Sequence, residues 1–215
     1  MKITNLHKQQ NHKNLEAIIS KCITFFELEN KNIELVLANN KNDHSRFRKK
    51  KIQDSFGLFF PTKDGVEELA PENIVKATQS KNNDYVVWIK HDAITKSEIF
   101  FSWILAHEFR HIKQRIEYPN IMKCRLKLEE KFIISKTNYN QHGIPCELDA
   151  DIYARDFCYK VFGKFKTHQF IKELIQLGIR EKSFNDIINQ RPCDLNKRYT
   201  LHLGQAYWSK TTISF

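Results

Sequence analysis

Phe100-Phe101-Ser102-Trp103-Ile104-Leu105-Ala106-His107-Glu108-Phe109-Arg110-His111-Ile112 is the stretch on which the reading of the whole chain turns. Ile99, Phe100, Trp103, Ile104 and Ala106 make the run before the histidines strongly apolar, which marks a core helix. Residues four apart share one helical face, so the imidazoles of His107 and His111 can close on one metal ion. Glu108 follows the first histidine by one position and is rotated off the ligand axis. From there it reaches a water beside the metal rather than the metal itself. Two buried imidazoles without polar partners would be costly, which favours a ligand role over a chance pair.

This spacing, His107-Glu108-x-x-His111, is the one in which two histidines bind zinc and the glutamate serves as general base. A third ligand is expected in Pro145-Cys146-Glu147-Leu148-Asp149-Ala150-Asp151-Ile152-Tyr153-Ala154. Pro145 suits the first turn of a helix. Glu147, Ala150, Asp151, Ala154, Cys158 and Val161 then share one stripe. The small Ala150 and Ala154 let this helix approach the first one closely. An acidic helix start is favoured by the macrodipole alone. Beside the histidine pair, Glu147 reads as the third metal ligand, leaving one coordination position open for water. Asp151, one turn on, can accept the free N–H of a zinc-bound histidine and fix its tautomer. Cys146 is a further ligand candidate, set behind Glu147.

His107-Glu108-x-x-His111 followed by Glu147-x-x-x-Asp151 resembles the gluzincins, the zincin branch whose third ligand is a Glu on a later helix. The Glu147 to Ala154 wording is also similar to small peptidases of the ImmA/IrrE kind and to the catalytic domains of Ste24-like membrane peptidases. The resemblance covers about residues 33 to 163. No glycine-rich turn with a third histidine follows His111, which sets the chain apart from metzincins. The short histidine spacing of SprT-like peptidases is absent too. The resemblance implies a zinc metallopeptidase acting on a peptide or protein substrate. It implies a zincin-like α+β fold, with a small twisted, mostly antiparallel sheet packed on the active-site helix and further helices. It also implies that the strand at 84–90 edges the cleft and pairs with an extended substrate. The developing oxyanion needs one more donor. Tyr139, His142 and His168 are the candidates, with Tyr139 and His142 favoured because both precede Glu147.

The 215 residues, 41% hydrophobic and 12% aromatic, suit one globular domain. Its core is expected over about 13–163, with a C-terminal helical subdomain over about 164–215 that closes the far side of the cleft. Helical periodicity runs through 13–29. Strands are expected at 33–38 and 55–60, and most clearly at Asp84-Tyr85-Val86-Val87-Trp88-Ile89-Lys90. A short helix is expected near Pro71. Thr95 or Ser97 would cap the metal helix, which Tyr118-Pro119-Asn120 ends near Glu117. Residues 121–134 read as helical and 135–143 as turn-rich. Three helical patterns follow at about 167–178, 183–190 and 194–208.

The five cysteines lack paired close spacing and read as reduced thiols of a cytoplasmic protein. The longest apolar run, Ile99 to Ala106, is too short to span a bilayer, so no membrane association is expected. The formal net charge is +10, and Arg46-Phe47-Arg48-Lys49-Lys50-Lys51 is the densest basic run. Such a balance favours acidic partners, including nucleic acid, although no helix-turn-helix or zinc-finger spacing accompanies it. The alternative function is therefore a nucleic-acid-associated binding or regulatory protein on a zincin fold, its metal structural or its activity lost. Glu108 favours the enzyme, since a purely structural site has no use for a base beside its ligand.

Overall fold

Two strands of alternating sidedness sit at the centre of the molecule. The computed structural model describes residues 1–5, 12–39, 55–61, 72–123, 145–179, 184, 189–192, 194–197 and 199. In β2 (Ile33–Leu37) every residue is buried. Ile33, Leu35 and Leu37, with Val87 and Ile89 of β4 (Tyr85–Ile89), face the main core. There they meet α1 (His12–Phe25) and α4 (Glu98–Glu117). Val36, Val86 and Trp88 face the opposite way, toward Ile74 and Ala77 of α2 (Glu72–Gln79) and Phe60 of β3 (Gly57–Pro61). The period of two along a strand thus feeds two cores, with helices on both faces of one sheet.

Among the described residues the sheet has four strands in the order β1-β2-β4-β3, where β1 is Lys2–Thr4. β1 with β2 and β2 with β4 are parallel; only β3 with β4 is antiparallel. The α+β class holds, but the sheet is mixed, not mostly antiparallel as expected. Parallel neighbours need a crossover of about a dozen residues or more. The α1 segment supplies the first crossover, between β1 and β2. The three residues of β1 are too few to show alternation, so the sequence alone gave no sign of this pairing. Glu34 secures it: its carboxylate accepts hydrogen bonds from Lys2 Nζ and Thr4 Oγ1, both at 2.8 Å, and from Asn83 Nδ2 at 2.7 Å.

A second correction concerns β4. It lies between β2 and β3 with a ladder on each side. It cannot be the cleft-edge strand that 84–90 was expected to be, because both its backbone edges are used. Among the described residues β3 ends the sheet order on that side.

A short helix, α3 (His91–Lys96), precedes α4. Ser97 then breaks to extended backbone and caps α4, its Oγ accepting from Phe100 N at 3.2 Å. Such a cap is worth about 1 kcal/mol. In α4 every residue from Ile99 to Ile112 is buried, and each fully buried Phe, Ile or Leu contributes about 1.5–3 kcal/mol. Tyr118 ends the helix, and Pro119 begins a short α5 (Pro119–Lys123).

Pro145 opens α6 (Pro145–Phe162), which packs along α4. Ala106, Ala150 and Ala154 are fully buried, and their small size lets the two helices close up. Gly163, at φ 81°, separates α6 from α7 (Lys164–Gln176). A side chain at that φ would be strained. Phe170, Ile171 and Leu174 of α7 belong to the same core cluster as α4. Most of the two later helical patterns lies outside the described residues. So does the remainder of 121–134 beyond α5, and so does the basic run at 46–51. Cys22, Cys146 and Cys158 are buried thiols. No described helix is long and apolar enough to cross a membrane.

Candidate metal centre

The geometry of α4 carries His107 and His111 onto one face, directed at the first turn of α6. His107 Nε2 lies 3.1 Å from His111 Nε2 and 3.2 Å from Glu147 Oε2. His111 Nε2 lies 3.6 Å from Glu147 Oε1. The three residues form a group whose ligand atoms all fall within 4.8 Å of one another. Tetrahedral zinc with bonds of about 2.0–2.2 Å separates its ligand atoms by about 3.3–3.6 Å. The spacing therefore suits one ion between them.

Proton placement tests the fit more sharply. His107 Nδ1 lies 3.0 Å from Asp151 Oδ1, a carboxylate oxygen that also accepts from Trp103 Nε1 at 3.3 Å. His111 Nδ1 lies 2.9 Å from Gln114 Oε1. The Gln114 amide nitrogen donates to the Cys146 carbonyl and to Asp149 Oδ2, both at 2.9 Å. Both partners of that nitrogen accept only, so the amide orientation is fixed and its oxygen faces His111. Each Nδ1 must then be the donor, and in the neutral rings each Nε2 carries a lone pair. Two imidazole lone pairs and a carboxylate converge in a nearly buried space, and a cation between them resolves the repulsion. Burial alone disfavours the charged form of His107. The Asp151 and Glu147 carboxylates outweigh that and push its pKa up to about 10. The place favours positive charge, whether a proton or a metal ion.

Glu108 is on the next position of α4 and is 7% exposed. Gly57 of β3 lies against it: a Cβ built on Gly57 would fall 2.8 Å from Glu108 Oε1 and 2.7 Å from Ile104 Cγ2. The edge strand can pass over the acidic side chain because residue 57 has none.

A buried polar seam continues along the two helices. Arg110 Nε donates to Asp149 Oδ2 at 2.6 Å, Arg110 reaches Glu117 Oε2 at 2.7 Å, and its guanidinium stacks 3.9 Å from the Tyr153 ring centroid. Asp151 thus stands behind His107, beyond the ligand group. Cys146 does not join that group: its Sγ lies 2.8 Å from Tyr199 Oη and 4.0 Å from Met122 Sδ, in a separate apolar cluster with Leu195. The ligand reading of Cys146 is corrected accordingly. His168 is also removed from the oxyanion candidates. Its Nε2 meets Tyr159 Oη at 2.5 Å. Tyr159 stands twelve residues beyond Glu147 on α6, about 18 Å along the axis. Tyr139 and His142 lie outside the described residues.

Gln114, Arg110, Asp149, Trp103 and Gly57 were not singled out from the sequence. Gln114 and Trp103 had a readable signal, three residues after His111 and four before His107 on the ligand face. Gly57 had one too, since glycine inside a strand pattern often marks close backbone approach. The Arg110–Asp149 pair needed the helix packing to be seen. The chain matches no protein-family model, no curated protein and no solved structure.

Proposed function

We propose that this chain is a zinc-dependent metallopeptidase, with His107, His111 and Glu147 holding the ion and Glu108 acting as general base. The carrying observation is the convergence of three lone-pair donors whose imidazole members are already bonded at their other nitrogens. Two imidazoles and one carboxylate, with a position left open, are a catalytic zinc set. Zinc bound there supplies Lewis acidity toward the peptide carbonyl and lowers the pKa of water. Glu108 accepts the proton of the attacking water and delivers it to the leaving amine. Asp151 keeps His107 in the tautomer that presents Nε2. β3, ending the sheet beside Glu108, is the strand along which an extended peptide would lie, held by backbone bonds. That assignment replaces the role first given to 84–90. The His-Glu-x-x-His…Glu resemblance to gluzincins supports the same reading.

Metal analysis of wild type and Glu108→Gln, paired with cleavage of a peptide library, tests it. Both should hold one zinc per chain, because Glu108 is not a ligand. Cleavage should fall by about 10²–10⁴-fold in the variant. A zinc-loaded wild type that cleaves nothing would reject the enzyme. Salt-sensitive nucleic-acid binding lost on Lys49→Glu with Lys50→Glu would then put the binding protein first.

A further inference from the structure

We propose that Gln114 is a positioning residue that locks the His111 tautomer and ties it to the helix turn bearing Glu147, so that the ligand set is assembled before a cation arrives. The inference rests on the metal-site reading above and deepens it. Gln114 is fully buried, and its side chain has one acceptor oxygen and two donor hydrogens. All three are used: the oxygen on His111 Nδ1, the hydrogens on the Cys146 carbonyl and on Asp149 Oδ2. The two α6 partners stand at positions 146 and 149, on either side of Glu147. One amide therefore fixes both the proton-free nitrogen of a ligand on α4 and the placement of the turn that presents the ligand on α6.

The chemistry needs a neutral amide here. A flipped amide would set its oxygen against two acceptors and its NH2 toward His111, presenting a donor where Nδ1 must donate. A carboxylate would do the same to the α6 side, facing Asp149 with like charge. The two histidines are thus supported unequally, His107 by the anionic Asp151 and His111 by an uncharged group. Arg110 neutralises Asp149 at Oδ2, the same oxygen that accepts from Gln114, so the support of His111 adds no net negative charge to the site.

The test uses the full chain with ¹⁵N-labelled histidine and three variants. Gln114→Met keeps the volume without the hydrogen bonds. Gln114→Asn keeps the amide but is one methylene short. Gln114→Glu keeps the acceptor and loses the donors. In metal-free wild type, NMR should show His111 with its proton on Nδ1 and slow to exchange. In Gln114→Met and Gln114→Asn the proton should distribute over both nitrogens. Zinc affinity, measured by chelator competition, should fall about 10–100-fold in both, the usual effect of removing a hydrogen-bond partner behind a ligand. Gln114→Glu should lose at least as much. A residue that merely fills space would leave tautomer and affinity unchanged in Gln114→Met, and that result overturns the inference while the zinc reading stands. A wild type that binds no zinc at all rejects the zinc reading and this inference with it. Should Gln114→Met not fold, Gln114→Asn gives the same decision.

Discussion

Replacing Gly57 by alanine probes the contact between the edge strand and the proposed base. The added methyl would lie 2.7 Å from Ile104 Cγ2, 2.8 Å from Glu108 Oε1 and 2.9 Å from Glu108 Cγ, where ordinary contact begins at 3.4 Å. Ile104 and Glu108 stand on a helix that is buried on all sides, so relief must come from the Glu108 side chain or from β3. Overpacking of this kind costs about 1–3 kcal/mol. For a domain of this size that lowers Tm by about 2–12 °C. The effect on rate should be larger than the effect on fold. A catalytic group displaced by about 1 Å can lose about 10²-fold, and removal of the base bounds the loss near 10⁴-fold. The three atoms nearest the methyl belong to Ile104 and Glu108 and to none of the ligands, so zinc content should be unchanged. The assay is kcat/KM on a cleaved peptide beside zinc content and Tm, for Gly57→Ala, Glu108→Gln and the double variant. The double variant should be no slower than Glu108→Gln alone, because both changes act through one carboxylate. Full activity in Gly57→Ala, or a rate loss that tracks lost zinc, would refute the reasoning.

Asp151→Ala should weaken zinc about 10–100-fold in a chelator titration while far-UV circular dichroism is unchanged. Arg110→Met leaves the fully buried Asp149 without its cation, which should cost about 3–5 kcal/mol. That is a Tm drop of about 6–20 °C, and Arg110→Met with Asp149→Leu should recover only part of it, because the buried Gln114 then loses one acceptor. Burial pushes the Glu34 carboxyl up, but hydrogen bonds from Lys2, Thr4 and Asn83 and the Lys2 charge outweigh it and hold it below its usual 4.5. A depressed carboxyl stabilises above its unfolded pKa and loses that contribution as pH falls through its folded one. Acid titration of Glu34→Gln should therefore show a shallower loss of stability below pH 4.5 than wild type.

The histidine pair of the candidate site was legible because helix periodicity alone brings His107 and His111 together. Glu147 and Asp151 were legible because one four-residue step repeats that geometry on a second helix. Their partners were not, since Asp149 gains meaning only when α4 and α6 are packed and Arg110 and Gln114 arrive beside it. The strands at 33–37 and 85–89 followed from short apolar runs, the first of them partly alternating, but which neighbours they take is a non-local matter. The parallel pairing of β2 with β4 already departs from the expected sheet character, and three residues at the N-terminus add a second parallel pair. The role of 84–90 failed for the same reason, because a strand's sequence does not say which of its edges remain open.

The burial of α4 from Ile99 to Ile112 bears on how an ion would enter and leave. Buried core helices of this kind belong to the part of a domain that opens least often. The histidines therefore stand on a buried part of the helix, away from its ends. Of the three ligand side chains, Glu147 keeps 12% and His107 11% of their surface in contact with solvent, against 5% for His111. A cation would reach the group past Glu147 and His107, the two side chains of the three that solvent touches most.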